Sequence, residues 1–203
     1  MTLSPSPSRA PTPSSLLTLI PPHLHRHPTP SNSVVTIDLQ NKRLRALAAA
    51  LSPAYLRVGG SEGDNAVYDI PAGTCATAKA DPAFCLSAAR WEELTSFCAN
   101  TGLDLAFGIN IMYGRGADGK GPWDPSNMRA LLEYTAAHNI TVGGFEMGNE
   151  KEEVLTPKGY AGDMLTARAM VDRIFPGEGG GEGGGRPLLI GPDENPRPDW
   201  LQT

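Results

Sequence analysis

Residues 103–110 read LDLAFGIN, a short run of mostly apolar side chains that begins after Gly102 and ends at Asn110. The glycine is typical of the end of a helix, and the asparagine closes the apolar run, so this stretch predicts one buried strand. Strands that are apolar on both faces are typical of parallel sheets, because crossover helices cover both sides of such sheets. The stretch therefore predicts an α/β protein.

Three other apolar runs are closed in the same way by glycine or polar residues. They cover residues 54–58, 140–147 and 188–190, and are followed by Gly59-Gly60-Ser61, Gly148-Asn149-Glu150 and Gly191-Pro192-Asp193. Segments with apolar residues at helical spacing separate the runs, with predicted starts near Asp38, Ser87, Asp124 and Thr156. This alternation indicates parallel strands joined by crossover helices. Periodicity does not separate a barrel from a doubly wound sheet, and in both the carboxyl ends of the strands carry the site.

The charge balance argues against nucleic acid or an anionic membrane as the main partner. The 203 residues include 17 basic and 22 acidic ones, for a net charge of -5, and the longest basic run is Lys42-Arg43. Binding to a phosphate backbone or an anionic surface needs clustered cations. Apolar stretches also stay well short of the roughly 20 residues that a membrane span requires.

Two segments have the composition of unfolded chain. Residues 1–33 are dominated by Pro, Ser and Thr, and we expect a disordered tail there. Their apolar patch at residues 16–20 is shorter than the ~7–15 residues of a signal peptide, so no clear signal is recognised. Residues 177–185 contain little besides Gly and Glu and predict a flexible loop.

The three cysteines allow at most one internal disulfide. Cys75 and Cys85 share one loop and could pair, whereas Cys98 lies on the apolar stripe of a predicted helix and is expected to be a buried thiol. The tripeptide Asn139-Ile140-Thr141 is a glycosylation sequon, which is a weak sign of secretion because sequons also arise by chance.

Glu150 has the position most suggestive of chemistry. A carboxyl group at a strand end, in a cleft with apolar walls, loses solvation, and this raises its pKa. Such a group can protonate a glycosidic oxygen and later accept a proton from water. The neighbouring Asn149 amide can hydrogen-bond a sugar hydroxyl. An isolated Asn-Glu pair is more often a solvated loop feature, so the context decides.

Five motifs that occur in order between residues 32 and 202 supply that context. They are LRVGGS at 56–61 with Asp64 and VYD at 67–69, CL at 85–86 with RWEEL at 90–94, GLDLAFGIN at 102–110, FEMGNE at 145–150, and GPD at 191–193. With these motifs the chain resembles the heparanase-type glycoside hydrolases of family 79, especially the plant-like members.

The resemblance implies an α/β fold that is part of a (β/α)₈ barrel. Residues 34–203 would form this partial barrel domain, with about strands two to five of eight, incomplete at both ends. The first strand of the family would precede residue 33, where the Pro/Ser-rich tail stands. A complete barrel takes ~250 residues, so we expect a fragment or a truncated gene product.

The resemblance also implies a retaining β-glucuronidase or heparanase-like enzyme that acts on a carbohydrate substrate, without metal or cofactor. Glu150, after the fourth strand, would be the acid/base. The nucleophile would follow the seventh strand, and no residue of this chain matches its motif. By the same resemblance we expect a secreted, extracellular or membrane-associated protein.

Five residues at the strand ends are candidates for substrate binding. They are Asn149, Gly60, Ser61, Asn110 and Asp193. Gly60 and Ser61 fit a tight turn equally well. Among other residues, Arg57 is expected in a structural ion pair, Trp91 in the core, and Trp123 in an exposed loop.

Two other functions stay open at this stage. The first is a catalytically inactive fragment or a carbohydrate-binding remnant, since no nucleophile is recognised. The second is a nucleotide-binding loop at Gly59-Gly60-Ser61, which is disfavoured because no lysine follows it.

Overall fold

A computed structural model describes residues 16–19 (backbone only), 34–80, 84–116, 119–177 and 185–193. The strands, in chain order, are β1 (Leu16–Leu19), β2 (Ala54–Val58), β3 (Val67–Asp69), β4 (Cys85–Ser87), β5 (Leu103–Ile109), β6 (Gly144–Met147) and β7 (Leu188–Ile190). The helices are α1 (Lys42–Ala50), α2 (Thr74–Thr77), α3 (Ala88–Thr101), α4 (Ser126–Ala137) and α5 (Pro157–Ile174), with one 3₁₀ turn at Gly63–Asn65.

Five strands form one parallel sheet in the order β1-β2-β5-β6-β7. The strands follow one another across the sheet in chain order, as in a barrel, whereas a doubly wound sheet reverses direction part-way. Within the described residues the sheet is not closed. The predicted α/β fold, a partial (β/α)₈ barrel, is confirmed, and all the carboxyl ends of the strands lie at one edge.

The expectation of a disordered tail is wrong at residues 16–19. These residues form β1, which pairs with β2 in the register Leu16 to Tyr55. The count of strands two to five therefore missed the first one, and β6 is the fourth strand of the sheet, where the resemblance requires it. Residues 1–15 and 20–33, and residues 178–184 of the predicted Gly/Glu loop, lie outside the described residues.

The core lies between the sheet and helices α3, α4 and α5. Trp91 of α3 is fully buried, as predicted, and its ring meets Phe107 of β5 edge-on at 4.8 Å between centroids. Its indole N–H donates to Thr135 Oγ1 of α4 at 3.1 Å, so two helices and the sheet meet at one side chain. Trp123, expected in an exposed loop, is also buried.

The long loop predicted between β2 and α3 contains short elements of its own. β3 and β4 form a two-stranded parallel sheet, and the Cys75–Cys85 disulfide crosses this segment. The pairing that the sequence left open is therefore formed. Cys98 is the buried free thiol that was expected, and burial raises its pKa to about 12.

Helix starts agree with the sequence in two of the four cases. Ser87 and Thr156 cap α3 and α5 through their hydroxyl oxygens. The first helix begins later than expected, with Asn41 as its cap, because Asp38 instead accepts the backbone N–H of Gln40. Pro125, one residue after the expected Asp124, occupies the cap position of α4. Among the described residues, no helix is both long enough and apolar enough to cross a membrane.

Replacement of Thr135 by Val should lower the free energy of unfolding by about 1–3 kcal/mol, because it leaves the buried indole N–H of Trp91 without an acceptor. Chemical denaturation checks this value. Thr95→Val is the matched control: Thr95 is also a buried helical threonine, but its hydroxyl donates only to helix carbonyls. Equal losses in the two variants would contradict the role of Thr135.

Candidate active site

One arginine joins the ends of three strands at the carboxyl edge of the sheet. Arg57 of β2 donates from Nε to Glu146 Oε2 of β6 at 2.6 Å. Its Nη2 donates to Asn149 Oδ1 at 3.0 Å and to Asp193 Oδ2 beyond β7. The expected structural ion pair of Arg57 is thus confirmed, and it joins strands that are not neighbours, since β5 lies between β2 and β6.

The Arg57 cluster consists of Arg57, Glu146, Asn149 and Asp193. Because much of it is buried, its charges are costly to remove from water. The side chains of Arg57 and Glu146 are only 13% and 10% exposed. Desolvation raises the pKa of Glu146, and the hydrogen bond and charge of Arg57 oppose that rise. For Arg57, burial acts to lower the pKa, but Glu146 and Asp193 together raise it. Each charge is therefore kept in the interior by the others.

Glycine at position 59 makes room for the cluster. A Cβ there would lie 3.2 Å from Glu146 Oε2 and 3.6 Å from Arg57 Nη2. Gly108 of β5 lies against it, since a Cβ at 108 would stand 3.0 Å from the Gly59 Cα. Gly60, which follows Gly59 in the chain, has φ 122°, so the chain turns sharply after β2. The tight-turn interpretation of the Gly-Gly pair is thus supported by the geometry.

A second ion pair lies next to the first. Asp64 is 1% exposed, and Lys151 Nζ lies 2.8 Å from its Oδ2. The backbone N–H of Asn149 also bonds to the carboxylate. Burial raises the pKa of Asp64 to about 7 in spite of Lys151 and this hydrogen bond. A buried carboxyl group that titrates near neutral pH is typical of functional sites.

Glu150 lies at this edge, but its side chain is exposed. The expected desolvation of Glu150 is therefore wrong for the described structure: the desolvated carboxyl groups are Asp64 and Glu146. The Glu150 backbone has φ 50°, a left-handed conformation that costs about 1–2 kcal/mol for a residue with a Cβ. Its N–H donates to Asp193 O at 2.7 Å, which fixes it beside the end of β7.

The other predicted binding residues fall into two groups. Asn149 and Asp193 belong to the Arg57 cluster, and Gly60 and Ser61 lie in the turn after β2, with Asn149 Nδ2 3.5 Å from Ser61 Oγ. Asn110 is 1% exposed and turned inward: its Nδ2 donates to Ala66 O at 2.7 Å and to Asn127 Oδ1 at 2.8 Å. It holds the loop after β2 against α4, and a role in substrate binding stays a prediction for all five.

Three charged residues of the site were not among the predicted site residues, although Asp64 and Glu146 lie within the motifs that carry the resemblance. Glu146 stands inside an apolar strand, and a charge in such a run is itself the signal of a buried pair. Asp64 and Lys151 carry no such signal, because they lie in polar loops whose approach depends on the fold.

Metal binding has little support in the described part of the chain. The one group of potential ligands close enough together is Asp69, Cys75 and Cys85. The two sulfurs are joined in the disulfide, so they offer no thiolate to a metal.

The family model "Glycosyl hydrolase family 79, N-terminal domain" matches residues 25–203. The chain belongs to this family. The residues that the family model matches begin after β1 and include the whole Arg57 cluster.

The family assignment agrees with individual relatives. Heparanase-like protein 3 of Arabidopsis thaliana is 30% identical over 191 residues, which cover 83% of this chain and 34% of the relative. Baicalin-beta-D-glucuronidase of Scutellaria baicalensis is 27% identical, covering 81% and 36%, and heparanase of Bos taurus is 28% identical, covering 55% and 28%. The chain spans about a third of the length of the curated relatives it matches.

Removal of the Arg57 charge should destabilise the protein strongly. We expect Arg57→Met to lower the free energy of unfolding by about 3 kcal/mol, because Glu146 is left buried without a partner. The double variant Arg57→Met, Glu146→Leu should recover most of this loss. Denaturant unfolding of the two variants checks the pair, and an equally unstable double variant would contradict the explanation.

Asp64 should make stability depend on pH. Its folded pKa, about 7, exceeds the ordinary value of 3.8, so the folded protein binds the proton more tightly than the unfolded chain. The free energy of unfolding should therefore fall as the pH rises from about 4 to about 7, by a few kcal/mol in total. Asp64→Asn should flatten this slope in melting curves.

Lys151→Met tests the same coupling between the pKa of Asp64 and the stability of the protein, because this variant should raise that pKa further. Because Lys151 holds the pKa of Asp64 down, its loss should extend the pH-dependent decline to higher pH. A slope that is unchanged in both variants would show that Asp64 does not titrate in this range.

Proposed function

We propose that this chain supplies the acid/base half of a retaining β-glucuronidase or heparanase-like glycosidase, with Glu150 as the proton donor. The observation that carries the proposal is the place of Asn149 and Glu150 in a family 79 domain. They follow the fourth strand of the parallel sheet, at the edge where the carboxyl ends of all five strands meet. The name of one relative, baicalin-beta-D-glucuronidase, supports a glucuronide as the substrate class.

Arg57 supports a role for Asn149 in orienting the sugar. A guanidinium only donates hydrogen bonds, so the amide oxygen of Asn149 must face Arg57 and the NH₂ group must face the opposite way. Its contact with Ser61 Oγ is long, at 3.5 Å, which leaves the NH₂ group able to bond a sugar hydroxyl. Such a bond strengthens as charge develops on the ring in the transition state.

Glu150 then acts twice in the proposed reaction. As an acid it protonates the glycosidic oxygen while the bond to the leaving group breaks, and as a base it takes a proton from the water that releases the sugar. In this proposal the bound sugar displaces water from the strand-end edge, where the exposed side chain of Glu150 lies.

The nucleophile of the proposed reaction is a second carboxylate ~5–5.5 Å from the first. The buried or partly buried carboxyl groups of the two ion-pair clusters are each already paired: Glu146 and Asp193 with Arg57, and Asp64 with Lys151. The proposal therefore assigns the nucleophile to none of these three, and we expect it after the seventh strand of the complete barrel, as the resemblance implies.

The alternative function is a catalytically inactive carbohydrate-binding unit. The exposure of Glu150 and the pairing of its carboxylate neighbours favour it. Turnover of an aryl β-glucuronide by the 203-residue protein would exclude this alternative. Saturable binding of a glucuronide without turnover would support it for the chain alone.

The role of Glu150 is testable in a chimera in which residues 25–203 replace the matching segment of the Scutellaria relative. In this enzyme Glu150→Gln should lower kcat by about 10²–10⁴-fold for a glucuronide with a poor leaving group, because no proton reaches the glycosidic oxygen. For a dinitrophenyl glucuronide, whose leaving group needs no proton, the same variant should slow the bond-breaking step much less.

Glu153→Gln is the matched control, since Glu153 is an exposed acid of the same loop. It should keep the activity of the parent chimera on both substrates. Full activity of the Glu150→Gln chimera on the poor leaving group would refute the assignment.

A further inference from the structure

The sequence contains one tripeptide of the form Asn-X-Ser/Thr, at Asn139-Ile140-Thr141. It lies in the connection between α4 and β6. Asn139 and Thr141 are both exposed, whereas Ile140 between them packs against the core. The acceptor amide and the hydroxyl that the glycosylation machinery requires therefore both face solvent, and the apolar residue anchors the turn.

The backbone of this turn suits a modified asparagine. Asn139 has φ 53°, the left-handed conformation that often ends a helix, and asparagine tolerates it better than other residues with a Cβ. The N–H of Asn139 bonds to Ala136 O at 3.1 Å and that of Ile140 to Thr135 O at 3.0 Å. These two bonds do not use the Asn139 side chain, so a sugar on that side chain leaves them intact.

The disulfide gives an independent sign of the compartment. Cys75 and Cys85 are joined, and disulfides persist mainly in secreted proteins and in the secretory lumen, where oligosaccharides are also transferred. Disulfide formation and glycosylation of the sequon would thus take place in the same compartment, although the two features lie in different parts of the fold.

Asn139 also lies on the side where a glycan would not interfere with the site. Helix α4 runs back from the carboxyl edge of the sheet, so its last turn reaches the amino ends of the strands, where β6 begins. Glu150 follows the opposite end of β6. A bulky glycan at Asn139 would point away from the Arg57 cluster.

We propose that Asn139 is an N-glycosylation site, modified in the secretory lumen, which carries its glycan on the rim opposite Glu150. In the transfer, the Asn139 amide nitrogen forms a bond to C1 of the sugar of a lipid-linked oligosaccharide. The bond from C1 to the diphosphate oxygen breaks, the lipid diphosphate leaves with the electron pair, and the amide proton passes to a base of the transferase.

The test is secretion of the full chain from eukaryotic cells behind a heterologous signal peptide. The protein should migrate as one species that shifts to a lower apparent mass after treatment with peptide N-glycosidase. Peptide mapping in heavy-oxygen water should then find aspartate with one heavy oxygen at position 139. An unmodified Asn139 in secreted protein with the Cys75–Cys85 bridge formed would overturn the proposal.

Three variants separate the modification from effects on folding. Thr141→Ser keeps the sequon and should keep the glycan, whereas Thr141→Ala should lose it. Asn139→Gly removes the acceptor yet fits the left-handed backbone, so it should fold and show no shift. A shift that persists in Thr141→Ala and Asn139→Gly would also overturn the proposal.

Discussion

The structure of the site depends on one guanidinium group. Arg57 is the only side chain among the described residues that holds β2, the end of β6 and the segment after β7 together through charged hydrogen bonds. Sheet hydrogen bonds fix the strands, but they end at Met147 and Ile190. Beyond those residues the chain has left-handed turns and exposed loops, and the ion-pair cluster fixes its path together with the backbone bond from Glu150 to Asp193.

The ion pairs at the strand ends explain why buried charges and strained backbone conformations occur together in a few residues. Glu146 and Asp64 are buried carboxyl groups, and Gly148 and Glu150 both have positive φ. At Gly148 a side chain would meet Ile111 Cδ1 at 2.2 Å, so only glycine fits there. Conformational strain and buried charge persist where the surrounding structure enforces them, and they concentrate at functional sites. Here Arg57 offsets the buried charge of Glu146, and Lys151 that of Asp64.

Much of the fold was predictable because it rests on local patterns. The apolar run 103–109 closed by Asn110, and the caps at Ser87 and Thr156, gave strands and helices that the structure contains. β1 was not predictable in the same way, because its four residues stand among prolines and serines, and their pairing with β2 is a long-range contact. Composition alone therefore indicated disorder.

In the site, too, the features that depend on local sequence were predictable, and those that depend on long-range contacts were not. The position of Glu150 followed from the strand-end rule, whereas its exposure did not, because burial depends on which side chains the fold brings around it. Lys151 stands next to Glu150 in the chain, yet its partner Asp64 lies on another loop, so the ion pair is visible only in three dimensions. Asn110 occupies a strand end as expected, but Asn127 and Ala66 turn its amide inward.

The most direct test is hydrogen exchange at the Glu150 amide, whose N–H is bonded to Asp193 O. If Arg57 fixes the strand ends, Arg57→Met should speed exchange at Glu150 more than it speeds exchange in the middle of β5, where protection should fall only by the loss of global stability. Arg90→Met, which removes a partly buried arginine bonded to Val34 and Ile37, should leave Glu150 unchanged. Unaltered protection of Glu150 in Arg57→Met would contradict the account.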